Sequence, residues 1–130
     1  MVPDPTIDVP TDQPTSDILR KTWRMVSFVS SKGNQTNILP GTQVMVEFID
    51  SQVRGNAGCN DYFADFALDG EQISFSNAGI TEKFCNSPDG VMVQEIEYLR
   101  ALQSAVRYRI ADGRLHMINA KGQTVVIFTH

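Results

Sequence analysis

The feature that most constrains the fold of this chain is a change in hydrophobic period. Tyr62, Ala64, Phe66 and Leu68 fall on one face and Phe63 and Asp65 on the other, the two-residue repeat of a strand. Between Pro88 and Ala105 the repeat lengthens. Met92, Ile96, Leu99, Leu102 and Val106 stand three or four residues apart, which predicts one face of a helix. It is the one substantial helix expected, with Ser87 suited to its N-cap and Pro88 to its first turn, where a missing N–H costs nothing. Asp89 and Glu95 towards its start and Arg100 towards its end follow the sense of the helix dipole.

The other apolar runs read as strands. Thr22 to Val29 and Val44 to Ile49 are rich in β-branched and aromatic residues, separated by a polar loop over residues 30–37 and by Pro40-Gly41. Asp69-Gly70 is a hairpin signal, after which Ile73 and Phe75 continue the returning strand. The tail predicts three more strands, Val106 to Ile110, Arg114 to Ile118 and Gln123 to Thr129, broken at Asp112-Gly113 and Lys121-Gly122. The expected class is therefore mostly β with one substantial α-helix (α+β). A twisted antiparallel sheet or a partly open barrel packs on the helix, because a sheet with one wet face must bury the other.

At 130 residues, 42% hydrophobic and 20% charged, the chain suits one globular domain. Residues 1–15 hold four of the six prolines among Asp and Thr, a composition that stays extended and disordered. They read as a tether before a single domain over 16–130. Such a tether follows a cleaved signal or membrane anchor, or is an ordinary tail. An extracytoplasmic location (periplasm, envelope lipoprotein or secreted) is the expectation if an upstream signal has been removed. No segment approaches the roughly 20 apolar residues of a transmembrane helix. Eleven basic and fifteen acidic residues give a net charge of −4, and neither sign forms a long block able to track a phosphate backbone or an anionic membrane. Nucleic acid is not an expected partner, and a monomer is.

Arg54-Gly55-Asn56-Ala57-Gly58-Cys59-Asn60-Asp61-Tyr62 suits a bulge or a close backbone approach. It lacks the helix start and Gly-Lys-Ser/Thr of a phosphate loop. Together with Trp23, Thr81-Glu82-Lys83-Phe84-Cys85 and Glu95-Ile96-Glu97-Tyr98-Leu99-Arg100-Ala101-Leu102, in this order and spacing, the segment resembles the META domain of HslJ-type heat-shock proteins. The resemblance runs from about Asp17 to Thr129. On it, Trp23, Gly55, Gly58, Asn60, Tyr62, Thr81, Glu95, Leu99 and Leu102 are structural motif residues. Phe84 departs from the pattern, standing where members often carry a small residue, and is expected to alter packing slightly. The resemblance implies a small β-rich fold, frequently behind a lipoprotein or secretion signal, in which Cys59 and Cys85 pair, and it implies no enzyme.

An even count of two cysteines in a secreted-looking domain is compatible with a bridge, worth about 3 kcal/mol on the chain-entropy model. In a cytosolic protein the same residues would be buried thiols. A cysteine nucleophile needs a base, and the histidines are His116, in an expected strand, and His130 at the end. No zinc set is apparent, and Asp61, Asp65 and Asp69 lack the alternation of a calcium loop. No metal or cofactor is expected. Glu95 and Glu97, two apart on a helix, point to different faces and read as solubilising charges. Phe63 and Phe66, near Tyr62, either line an apolar ligand cleft or belong to the core. The expected function is thus a non-catalytic envelope or secreted interaction module connected with stress tolerance, partnered by an unknown protein. The alternative is a binder or carrier of an apolar small molecule or lipid acyl chain.

Overall fold

A computed structural model describes Ile18, Leu19 and residues 21–130. The expected tether lies outside the described residues. Nine strands follow: β1 Thr22–Val29, β2 Gln35–Asn37, β3 Met45–Ile49, β4 Gln52–Asn56, β5 Asp61–Asp69, β6 Gln72–Ile80, β7 Ala105–Ala111, β8 Arg114–Asn119 and β9 Thr124–Thr129, with helix α1 Val91–Gln103 between β6 and β7. All strand pairs are antiparallel, in the order β2-β1-β3-β4-β5-β6-β7-β8-β9, and β1 also pairs with β9. The sheet thereby curls into a ring with β2 as a short flap on β1. Closure protects most strand edges.

The ring is uneven. β1 and β9 share four paired positions, whereas β6 and β7 share one, Gln72 with Arg107, beside a backbone bond from Tyr108 N to Glu71 O of 2.9 Å. Beyond that pair β6 diverges, and the chain uses the space for the helix. Tyr98 of α1 enters the ring and meets Tyr62 of β5 and Phe128 of β9 edge to face, at centroid distances of 5.9 and 6.2 Å. Trp23, Phe48, Tyr108 and Phe128 complete a fully buried aromatic interior, each ring contributing about 1.5–3 kcal/mol by burial. Trp23 keeps its indole N–H satisfied by Ile18 O at 3.1 Å.

The alternation of Tyr62, Ala64 and Phe66 inwards and Phe63 outwards matches the sequence reading, and the three tail strands lie where expected. Three expectations need correction. The loop over 30–37 contains β2, whose Gln35 donates a side-chain hydrogen bond to Ser27 Oγ at 2.9 Å; a polar three-residue strand carries no periodic signal. The helix begins later than Pro88, at Val91, with left-handed Gly90 at its N-cap and no side-chain cap, so Ser87 and Pro88 precede it. Its buried face is also rotated. Val91, Gln94, Glu95, Tyr98, Ala101 and Leu102 are buried, while Ile96 is 55% exposed. Two polar side chains with distant partners replace the aliphatic stripe that periodicity favoured.

Candidate functional site

Gly58, Asn60, Thr81 and Glu95 of the motif converge with the two cysteines at one end of the ring, where the loop between β4 and β5 meets the segment leading into α1. Cys59 lies in that loop and not on a strand. It is bonded to Cys85, with Cα atoms 5.9 Å apart and a sequence separation of 26. Backbone N–H groups of Cys59 and Asn60 both donate to Glu95 Oε1, at 3.0 and 2.7 Å. Asn60 Nδ2 donates to Glu95 Oε2 at 2.7 Å and to Lys83 O at 3.0 Å, and its Oδ1 accepts from Lys83 N at 2.6 Å and Thr81 Oγ1 at 2.9 Å. The Asn60 side chain therefore has no capacity left.

Glu95 is 3% exposed, and its role corrects the reading of a solubilising charge. Its carboxylate ties the helix to the loop by charge-assisted bonds of the strong kind. Glu97 is likewise engaged, accepting from Ser31 N at 3.0 Å. Gln94, which the sequence did not mark, accepts from Leu39 N at 2.7 Å and donates to Thr42 Oγ1 at 3.0 Å. Its partners lie more than fifty residues away. No local pattern could reveal them.

The glycines shape this end. Gly58 has φ +116, a conformation open to glycine and costly for other residues. A Cβ on Gly55 would stand 2.1 Å from Met45 O and 2.7 Å from Tyr62 Oη, so the close approach expected there is real. Tyr62 donates to Met45 O at 3.0 Å and also hydrogen-bonds Tyr98. Burial raises both phenols above their usual range; the neighbouring Tyr62 adds to the rise at Tyr98, while the hydrogen bond from Tyr98 partly offsets it at Tyr62. Both stay protonated at neutral pH and offer no base. Among the described residues no group of three His, Cys, Asp or Glu could hold a metal ion.

A different geometry stands beside this knot. Where β6 leaves β7, an open cleft of about 360 Å³ runs between β6 and the C-terminal half of α1. Val53, Tyr62, Ala64, Phe75, Leu99 and Leu102 give it apolar walls, and Phe63 and Gly79 its outer rim. Phe63 is 52% exposed and lies across Gly79, where an added Cβ would be 2.4 Å from its ring. At the same rim Asn77, with φ 53, sits in the β6 bulge and donates to Asp65 Oδ2 at 2.9 Å. Phe63 and Phe66 do not act together: Phe66 faces inwards and meets Phe48, a core residue, edge to face at 5.2 Å. Leu99 and Leu102, read as motif structure, are also cleft wall. Phe84 is 79% exposed and so does not alter the core.

Comparison with known proteins agrees with this architecture. The family model described as META domain matches residues 16–130. An NMR structure of a protein from Burkholderia xenovorans is similar, with a TM-score of 0.71, 22% identity, and coverage of 99% of this chain and 91% of that one. A crystal structure of a duf4847 family protein from Bacteroides vulgatus is similar with a TM-score of 0.60 and 16% identity, covering 87% of this chain and 94% of that one. At these identities the likeness is one of fold. No curated protein matches the chain.

Proposed function

The chain belongs to the META domain family, and from that premise we propose that it is a non-catalytic binding module of the cell envelope or secreted space that takes a small apolar group into the cleft between β6 and α1. The observation that carries this reading is the cleft itself: apolar walls from β4, β5, β6 and α1, an exposed aromatic rim, and a volume of about 360 Å³, within the range of small-ligand sites. The disulfide supports an oxidising compartment. A stress-tolerance setting rests on the family resemblance.

Carriage of a lipid acyl chain has less support. That role needs an internal apolar cavity, and the ring interior is occupied by Trp23, Phe48, Tyr98, Tyr108 and Phe128. The non-catalytic part of the reading is supported by the bonding of the two cysteines to each other.

A neutral fluorescent apolar probe, N-phenyl-1-naphthylamine, tests the reading. Titration into the wild-type protein is expected to give saturable enhancement, and Ala78→Trp, which places an indole at the cleft wall, to weaken it about tenfold, the equivalent of about 1.4 kcal/mol. Binding that is absent from the wild type, or unchanged in Ala78→Trp, contradicts the assignment.

A further inference from the structure

The register of the ring assembles a cationic face that the linear sequence does not announce. Along β7, β8, β9 and β1 there is no aspartate or glutamate, although the chain is acidic overall. The same four strands carry Arg107, Arg109, Arg114, Arg24 and His116. Arg109 is paired with His116, Arg107 with Ile118, and Arg114 with Thr129, which is in turn paired with Arg24. Directly paired residues in a sheet point to the same side. The inward positions between them are Tyr108, Leu115, Met117, Phe128 and Met25, all buried, so the four arginines share the outer face, and all four are exposed.

Neighbouring strands lie about 4.8 Å apart and successive residues about 3.3 Å along them, which spreads these guanidinium groups over a patch on the order of 20 Å across. Among the described residues none of the four makes an ion pair. Their nearness is felt by His116, whose imidazolium is disfavoured first by burial and then by Arg109 and Arg114, with Asp112 of the β7–β8 turn acting the other way. The remaining outward positions on the patch are Ile118, Ile127 and Thr129, which are apolar or neutral and only partly exposed. Of the acidic strand residues, Glu47 on β3 accepts from Thr22 Oγ1 of β1 at 3.0 Å and borders the patch beside Arg24, and Asp61, Asp65 and Asp69 lie on β5. Basic charge is thus concentrated on these four strands, with Glu47 and Asp112 at their borders. In a field of negative charge the molecule turns one side towards the source despite its net charge.

We propose that the outer face of β7–β8–β9–β1 docks on an anionic phospholipid surface. Charge complementarity argues for this occupant. Four arginines on strands that carry no acid of their own suit headgroup phosphates, which each guanidinium can grip with two parallel hydrogen bonds, and the isoleucines between them add interfacial contact. Docking there leaves the β6–α1 cleft uncovered, so the two sites are independent.

Co-sedimentation of the full chain with lipid vesicles tests the proposal. The protein is expected to partition onto vesicles containing phosphatidylglycerol and not onto phosphatidylcholine alone, and added salt should release it. Arg109→Ala with Arg114→Ala is expected to reduce partitioning about 30-fold, on the basis of about 1 kcal/mol per basic residue near a charged surface. Arg109→Lys with Arg114→Lys should retain most of it, which separates lost charge from lost fold. Arg54→Ala, on β4, should leave it unchanged. No dependence on phosphatidylglycerol overturns the proposal, as does an equal loss in Arg54→Ala. Tighter retention by duplex DNA than by vesicles at the same salt also overturns it, assigning the face to nucleic acid.

Discussion

The disulfide knot and the cleft share one helix and differ in what they leave unused. At the knot, the Asn60 side chain spends its hydrogen-bonding capacity on Glu95, Lys83 and Thr81, and both sulfurs are consumed by their bond. At the cleft, Phe63 is half exposed and Leu99 and Phe75 are only partly buried, with apolar surface turned towards an open volume. A site whose polar groups are all satisfied has nothing further to offer a partner. Uncovered apolar surface still gains by being covered. Gly58, Asn60, Thr81 and Glu95 therefore hold the scaffold, and the binding proposed above falls to the neighbouring gap that the scaffold keeps open.

The largest effect is expected at the knot. Glu95→Ala strips partners from two buried backbone N–H groups and the Asn60 amide, and should cost about 3–5 kcal/mol in denaturant unfolding. If the variant unfolds at the wild-type midpoint, the knot is not the strut described here. Replacing both cysteines by alanine comes next. It should lower stability by about 3 kcal/mol while the folded variant binds the apolar probe with wild-type affinity; weakened binding at full stability would give the bridge a direct part in the site.

The smallest effect lies on neither region and reads the surroundings of His116 on the basic face. The folded chain disfavours protonation of His116, first through burial and then through Arg109 and Arg114. In acid it therefore takes up less proton at this site than the unfolded chain. The associated stability is complete above the unfolded value of about 6.5 and is lost progressively as pH falls below it. His116→Gln lacks this loss, so its melting temperature relative to wild type should rise as the pH is lowered through that window. A constant difference would mean that neither burial nor the neighbouring arginines disfavour the imidazolium.

The strands were legible because their signal is local. Tyr62 to Leu68 alternates over consecutive residues, and Asp69-Gly70 and Asp112-Gly113 mark turns by their own chemistry. The helix was legible as a helix, but its orientation was not. Gln94 and Glu95 are buried only because Leu39, Thr42, Cys59 and Asn60 come to meet them, and no window along the chain contains both partners. That pairing turns Ile96 outwards, against its hydropathy. The cleft was half legible: the aromatics near Tyr62 drew attention, yet the separation of Phe63 from Phe66 and the divergence of β6 from β7 are properties of register. The basic face is of the same kind. Its arginines are scattered through the sequence and become neighbours only when the ring closes through β9 and β1.

The most direct test of the division between strut and site is a backbone amide shift map of the protein titrated with N-phenyl-1-naphthylamine. Perturbations concentrated at Phe63, Phe75, Gly79, Ile80 and Leu99, with Cys59, Asn60 and Glu95 unmoved, are the result predicted. Perturbations centred on the Cys59–Asn60–Glu95 knot, or none at saturating probe, would contradict it.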